Sequence, residues 1–93
     1  MNSEHGLWEV RVKKPAQKNL KRAPRHEREG LIRVLEEMTH NPFSNNITSL
    51  TNERATFRRR FGDFRIFFDI YRDHRLVEIV DIDRRTTTTY RKR

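Results

Sequence analysis

The chain has 93 residues, 33% hydrophobic, 37% charged and 10% aromatic, with a mean hydropathy of −1.02. It contains no Cys, which excludes a disulfide framework and a Cys-based zinc site, and its aromatic content argues against disorder. Its 21 Lys+Arg against 13 Asp+Glu give a net charge of +8 and a pI ≈ 10.8, so a polyanionic partner is expected. A single small domain over 1–93, with a core built on Phe, fits this length. The longest run of large apolar residues is Ile66-Phe67-Phe68, too short to span a bilayer. Residues 1–6 hold Glu4 and no apolar stretch, unlike a secretory signal, and the expected location is cytoplasmic.

Residues 7–13 alternate, with Trp8, Val10 and Val12 on one side and Glu9, Arg11 and Lys13 on the other, which predicts a half-buried strand. Pro15 suits the first turn of a helix that carries Ala16, Leu20 and Ala23 on one face. Pro24 breaks it and opens a second helix to about Thr39, with Leu31, Val34, Leu35 and Met38 as its apolar stripe. His40-Asn41-Pro42 ends that helix, because a residue before Pro avoids the helical region. Residues 41–53 read as a polar loop. Three strands follow, at 56–61, 64–71 and 76–82, joined by short turns at Gly62-Asp63 and Arg72-Asp73-His74. The third is apolar at Leu76, Val77, Ile79, Val80 and Ile82, which predicts a central strand covered on both faces. The expected fold is α+β in the order β-α-α-β-β-β, an antiparallel sheet with a helical hairpin on one face.

The charge is uneven. Residues 1–53 carry nine basic and seven acidic residues, and 54–93 carry twelve and six, all but Lys92 of those twelve being Arg. Arginine grips phosphate bidentately through a planar fork of donors. Arg58 and Arg60 share a strand face opposite Phe57 and Phe61; Arg65 lies opposite the Phe64/Ile66/Phe68 stripe; Arg84 ends the last strand and Tyr90 stands six residues on. A meander can bring Arg58, Arg60, Arg65 and Arg84 onto one concave surface closed by Tyr90, a concentration of guanidiniums suited to a phosphate backbone. The competing reading pairs these arginines with Asp63, Asp69, Asp81 and Asp83 as surface ion pairs, each contributing about 0–1 kcal/mol. A second basic group, Lys13, Lys14, Lys18, Lys21, Arg22 and Arg25, lies on the first strand's end and the helical hairpin, apart from that surface. His5, His26, His40 and His74 have no place beside the arginines.

Over about residues 7–91 the chain resembles the RelE/ParE toxin superfamily, and within it the RelE-type ribosome-dependent messenger-RNA endonucleases. The likeness is carried by Trp8-Glu9-Val10-Arg11-Val12, by Leu35 to Asn41-Pro42, by Phe57-Arg58-Arg59-Arg60-Phe61-Gly62-Asp63-Phe64-Arg65-Ile66-Phe67-Phe68, and by Ile82-Asp83-Arg84-Arg85 with Tyr90. The resemblance implies that Arg65 contacts the scissile phosphate, that Arg84 supports it, that Tyr90 stacks on a base or moves a proton, and that Arg58 and Arg60 correspond to basic residues of the first meander strand. It implies cleavage in the ribosomal A site by attack of a ribose 2′-hydroxyl on the adjacent phosphorus, with no cofactor or metal, and an acidic helical antitoxin as partner. The second basic group, with Arg85, would then hold ribosomal RNA.

The chain departs from that pattern where RelE has lysines: Thr56 and Arg58 stand there instead. Arginine does not normally act as a general base, so the base is not identified. Thr86, Thr87, Thr88 and Thr89 are poor helix formers, and an extended tail is expected in place of a further helix, with 1–6 and 91–93 flexible. Two other functions stay open, a ParE-like inhibitor that binds DNA gyrase without catalysis and a basic RNA- or ribosome-binding module.

Overall fold

The computed structural model describes residues 7–44, 47–51 and 55–84; Tyr90, Arg85, His5 and the expectations for both chain ends lie outside the described residues. The alternating N-terminal segment forms strand β1 (Glu9–Val12), with Val10 and Val12 half-buried. Helix α1 (Lys14–Arg22) has Pro15 in its first turn and buries Ala16. Pro24 separates it from helix α2 (Arg25–His40), which buries Gly30, Leu31, Val34, Leu35 and Met38 at helical spacing. The last turn of α1 leaves carbonyls without intrahelical partners; Arg28 Nη1 donates to those of Lys21 (3.0 Å) and Ala23 (3.4 Å) and so ties the corner between the helices.

Strands β2 (Ile47–Ser49), β3 (Phe57–Phe61), β4 (Phe64–Tyr71) and β5 (Leu76–Arg84) follow, with a short 3₁₀ turn at Arg72–His74 before β5. The sheet order is β1-β5-β4-β3-β2. The α+β architecture is the one expected, with two additions. Ile47–Ser49, inside the stretch read as loop, pairs antiparallel with β3 as an edge strand. The sheet is mixed rather than antiparallel, because β1 pairs parallel to β5 over Glu9↔Leu76 to Val12↔Ile79; a parallel pair needs a long crossover, which the intervening helices supply.

Gly62 turns β3 into β4 with φ +56°, at the first central position of a two-residue hairpin turn, where a positive φ is required. The turn into β5 ends at Arg75, itself left-handed (φ 47°, ψ 51°). That conformation is unusual for a residue with a side chain. Here the side chain is anchored: Nε donates to the Leu7 carbonyl at 3.2 Å and the guanidinium lies 4.7 Å from the Trp8 ring centroid. Trp8 in turn meets Phe43 edge-on at 5.8 Å.

One irregularity sets the position of the C-terminal arginine. Between β4 and β5 the register runs Phe64↔Arg84, Arg65↔Asp83, Ile66↔Ile82, Phe67↔Asp81 and then Phe68↔Ile79, so Val80 is the extra residue of a bulge. Because side chains alternate with period two, one inserted residue reverses the facing of everything beyond it. Val77 and Ile79 face the helices before the bulge, and Ile82 and Arg84 face them after it. The apolar pattern of β5 is therefore one buried face with a phase reset, not two covered faces: Val77, Ile79 and Ile82 are fully buried, whereas Leu76 and Val80 are half-buried. These three join Phe64, Ile66 and Phe68 with Ala16, Ala23, Leu31, Val34, Leu35 and Met38 in one core.

Candidate functional site

The candidate arginines of the sheet lie toward the end where the β3–β4 hairpin turns and β5 finishes. Along β3 the triple arginine splits by alternation. Arg58 and Arg60 lie on the outer face, while Arg59, 7% exposed, points to the helices and binds Glu37 Oε1 of α2 through Nη2 at 2.6 Å. Phe57 and Phe61, on the same side as Arg59, pack against the core. Arg58 and Arg60 line an open cleft of ≈ 470 Å³ with Thr48 and Gly62. Arg60 faces Arg65 across the strand pair, and Arg65 faces Asp83, so Arg60, Arg65 and Asp83 form one row over three strands.

Arg84 does not join that row. The bulge places it opposite Phe64 on the helix-facing side, with its guanidinium 5.4 Å from the Phe64 ring centroid and Nη1 3.5 Å from Glu27 Oε1 in the first turn of α2. The single concave surface expected for Arg58, Arg60, Arg65 and Arg84 is thus two surfaces that meet at the sheet's end. Arg65 and Arg84 still converge, because both line a cleft of ≈ 380 Å³ together with Asn19, Arg22, Ala23, Phe64, Ile82 and Asp83.

That cleft exists because β1 stops short. It pairs with β5 only as far as Ile79, and beyond it α1 meets β5 through Asn19, which bonds to Asp81 and Ile82. Asn19 Nδ2 donates to the Ile82 carbonyl (2.9 Å) and to Asp81 Oδ1 (3.1 Å), and Asp81 Oδ1 also accepts the Ile82 N–H (2.8 Å). The N–H and carbonyl of Ile82, beyond the end of β1, are thereby satisfied by side chains, and α1 is held with Arg22 beside Arg65 and Arg84.

Charge in the cleft is under-compensated. Arg65 is half-buried and its Nε is buried with no hydrogen-bond partner among the described residues. A buried donor without a partner costs about 1–3 kcal/mol, a cost that an anion bound there would remove. No hydrogen bond or ion pair joins Arg22 to another described residue. Two such guanidiniums beside a third that is 47% exposed suit a phosphate group, which accepts bidentate donation from several sides.

The second basic group, expected to lie apart from this site, meets it at Arg22. Lys14, Lys18, Lys21 and Arg22 border a shallow groove on α1, and Arg22 borders the cleft as well. Lys13 precedes the helix with its N–H bonded to the Ile79 carbonyl (2.9 Å). Arg25 is exposed and forms an i,i+4 ion pair with Glu29 (3.4 Å). His26, His40 and His74 are exposed. Between the helices, Leu31 is fully buried and offers no surface to a partner, while Leu20 is half-buried. Sequence reasoning did not single out Asn19, Glu27 or the Arg59–Glu37 pair. The signal for Asn19 is its position three residues before Arg22, one turn away on the same face of α1.

A search against curated proteins returns no match. Among solved structures, the chain resembles the toxin–antitoxin complex RelBE2 from Mycobacterium tuberculosis (22% identity, TM-score 0.76, 90% of this chain and 98% of that chain). It resembles the archaeal RelE–RelB complex from Pyrococcus horikoshii (16% identity, TM-score 0.77, 87% and 98%). It also resembles a mutant of the Escherichia coli toxin RelE in the free state (14% identity, TM-score 0.68, 90% and 88%). At such identities these likenesses show the fold. The sequence profile described as "ParE toxin of type II toxin-antitoxin system, parDE" matches residues 10–88. With most of its length matched and a RelE-type fold, the chain belongs to the ParE toxin family of type II toxin–antitoxin systems, within the RelE/ParE superfamily.

Proposed function

We propose that this toxin is an endoribonuclease that cleaves messenger RNA in the ribosomal A site and so inhibits translation. The observation that carries the reading is the cleft of ≈ 380 Å³ that Arg22, Arg65 and Arg84 line together. In the proposed reaction a ribose 2′-hydroxyl loses its proton and attacks the adjacent phosphorus; the P–O5′ bond breaks, leaving a 2′,3′-cyclic phosphate and a 5′-hydroxyl that takes up a proton. The substrate supplies its own nucleophile. Arg65 and Arg84 stabilise charge on the phosphorane, and such preorganised donors are commonly the largest contribution to a rate. Tyr90 is the proposed stacking or proton-transferring group. Arg58 and Arg60 hold neighbouring phosphates, while Lys13, Lys14, Lys18, Lys21, Arg22, Arg25 and Arg85 bind ribosomal RNA. An acidic, helical antitoxin is the proposed partner that keeps these surfaces covered.

Induction of the chain in growing cells, with mapping of messenger-RNA 5′ ends, tests this. Codon-phased cuts that disappear in Arg65→Ala and Arg84→Ala support the endonuclease. Intact messages with arrested replication overturn it in favour of a second reading, inhibition of DNA gyrase without catalysis, which the match to the ParE family favours.

A further inference from the structure

We propose that Glu27 is a positioning residue for Arg84, holding one edge of its guanidinium so that the other is presented to RNA phosphate; this rests on the endonuclease reading of the cleft. Glu27 stands in the first turn of α2, with its side chain 28% exposed. Its Oε1 is buried and accepts no hydrogen bond among the described residues. A buried carboxylate oxygen is retained at a cost unless a cation compensates it, and the cation supplied is Arg84, with Nη1 at 3.5 Å.

Arg84 needs such a partner. It lies at the last residue of β5, past the bulge, where a long side chain has many rotamers and no covering strand. The Phe64 ring limits one side of the guanidinium, and the Glu27 carboxylate attracts Nη1 from 3.5 Å. Arginine carries five N–H donors in a rigid fork. An ion pair through Nη1 uses part of that fork, and the side chain remains 47% exposed beside Arg65 and Arg22. The carboxylate is not itself part of the cleft lining, so Glu27 acts through Arg84 and not on substrate.

The test is a double-mutant cycle in single-turnover cleavage of messenger RNA on programmed ribosomes, using wild type, Glu27→Gln, Arg84→Ala and the double variant. Glu27→Gln keeps the side-chain shape and removes the charge. Misplacing a catalytic group can cost up to about a hundredfold, so the saturating rate is expected to fall roughly ten- to a hundredfold with little change in the half-saturating ribosome concentration. In the Arg84→Ala background the same substitution should cost nothing further. A second measurement is independent of activity: the Arg84 side chain is more ordered in the wild type than in Glu27→Gln by nuclear magnetic resonance relaxation. Unchanged order, or an undiminished rate loss without Arg84, overturns the positioning role. Full activity of Arg84→Ala overturns the reading of the cleft instead, whatever the relaxation experiment shows.

Discussion

Arg60 on β3 and Arg65 on β4 stand directly opposite each other on the outer face of the sheet. Like charges in a cross-strand pair are destabilising. Arg60→Thr removes the repulsion and places a good strand former at an exposed position. It is expected to stabilise the free protein by about 0.2–1 kcal/mol, read from urea unfolding. The gain should shrink as salt screens the pair. RNA affinity should fall in the same variant. Equal stability of variant and wild type at low salt would show that the repulsion is relieved elsewhere.

Gly30 of α2 packs closely against the Phe61 ring of the β3–β4 hairpin. A Cβ built there meets the Phe61 ring at Cζ and lies 2.9 Å from Cε2. Replacing a helical Gly by Ala ordinarily stabilises by up to about 1 kcal/mol. Here overpacking opposes that gain, and a net loss of about 1–2 kcal/mol is expected for Gly30→Ala. Shortening the ring in Gly30→Ala/Phe61→Leu should recover part of it. Unfolding midpoints of the two variants decide the matter, and a more stable single variant would contradict the packing described.

These two contacts also mark how far the sequence is legible. Alternation alone places Arg58 and Arg60 opposite Phe57 and Phe61, and the stripe Leu31/Val34/Leu35/Met38 identifies the buried face of α2, because each is a local consequence of period. Arg84 is different. Continued without the bulge, the register from Phe68↔Ile79 would bring it to the outer face with Arg65; Val80 reverses that, and the adjacent apolar pairs Leu76-Val77 and Ile79-Val80 read equally well as a strand covered on both faces. The approach of Arg22 to the cleft depends likewise on where β1 ends and on Asn19 reaching Ile82, a contact across more than sixty positions. Gly30 reads locally as a weak point in a helix, and only the Phe61 ring explains it.

Arg59 is almost fully buried, with Nη2 on Glu37 at 2.6 Å and Nη1 buried without a hydrogen-bond partner among the described residues. Removing one member of a buried pair is costlier than replacing the charge by an apolar group of similar volume. Glu37→Ala is therefore expected to destabilise by about 1–3 kcal/mol, below the 3–5 kcal/mol of a fully buried pair, since the Glu37 side chain is 61% exposed. Arg59→Met should be near neutral or stabilising. Chemical denaturation of both variants tests the order, and a larger loss for Arg59→Met would show that the pair contributes net stability.

On the endonuclease reading, binding and chemistry are expected to separate along α1. Helix α1 contains no acidic residue, and Lys14, Lys18 and Lys21 border its groove without bordering the cleft, whereas Arg22 borders both. Contacts to phosphate release counterions, so each one lost lowers the slope of log affinity against log salt by about 0.7–0.9. Lys18→Glu/Lys21→Glu is expected to weaken ribosome binding at low salt and to flatten that slope by roughly two contacts' worth, while the saturating cleavage rate stays near wild type. Arg65→Ala should do the converse, losing about a hundred- to a thousandfold in rate with a smaller effect on affinity. Arg22→Ala, at the junction, is expected to change both. If the paired lysine reversal abolishes cleavage at saturation, or if Arg22→Ala behaves as a surface lysine does, then α1 does not divide in this way and the groove and the cleft act as one site.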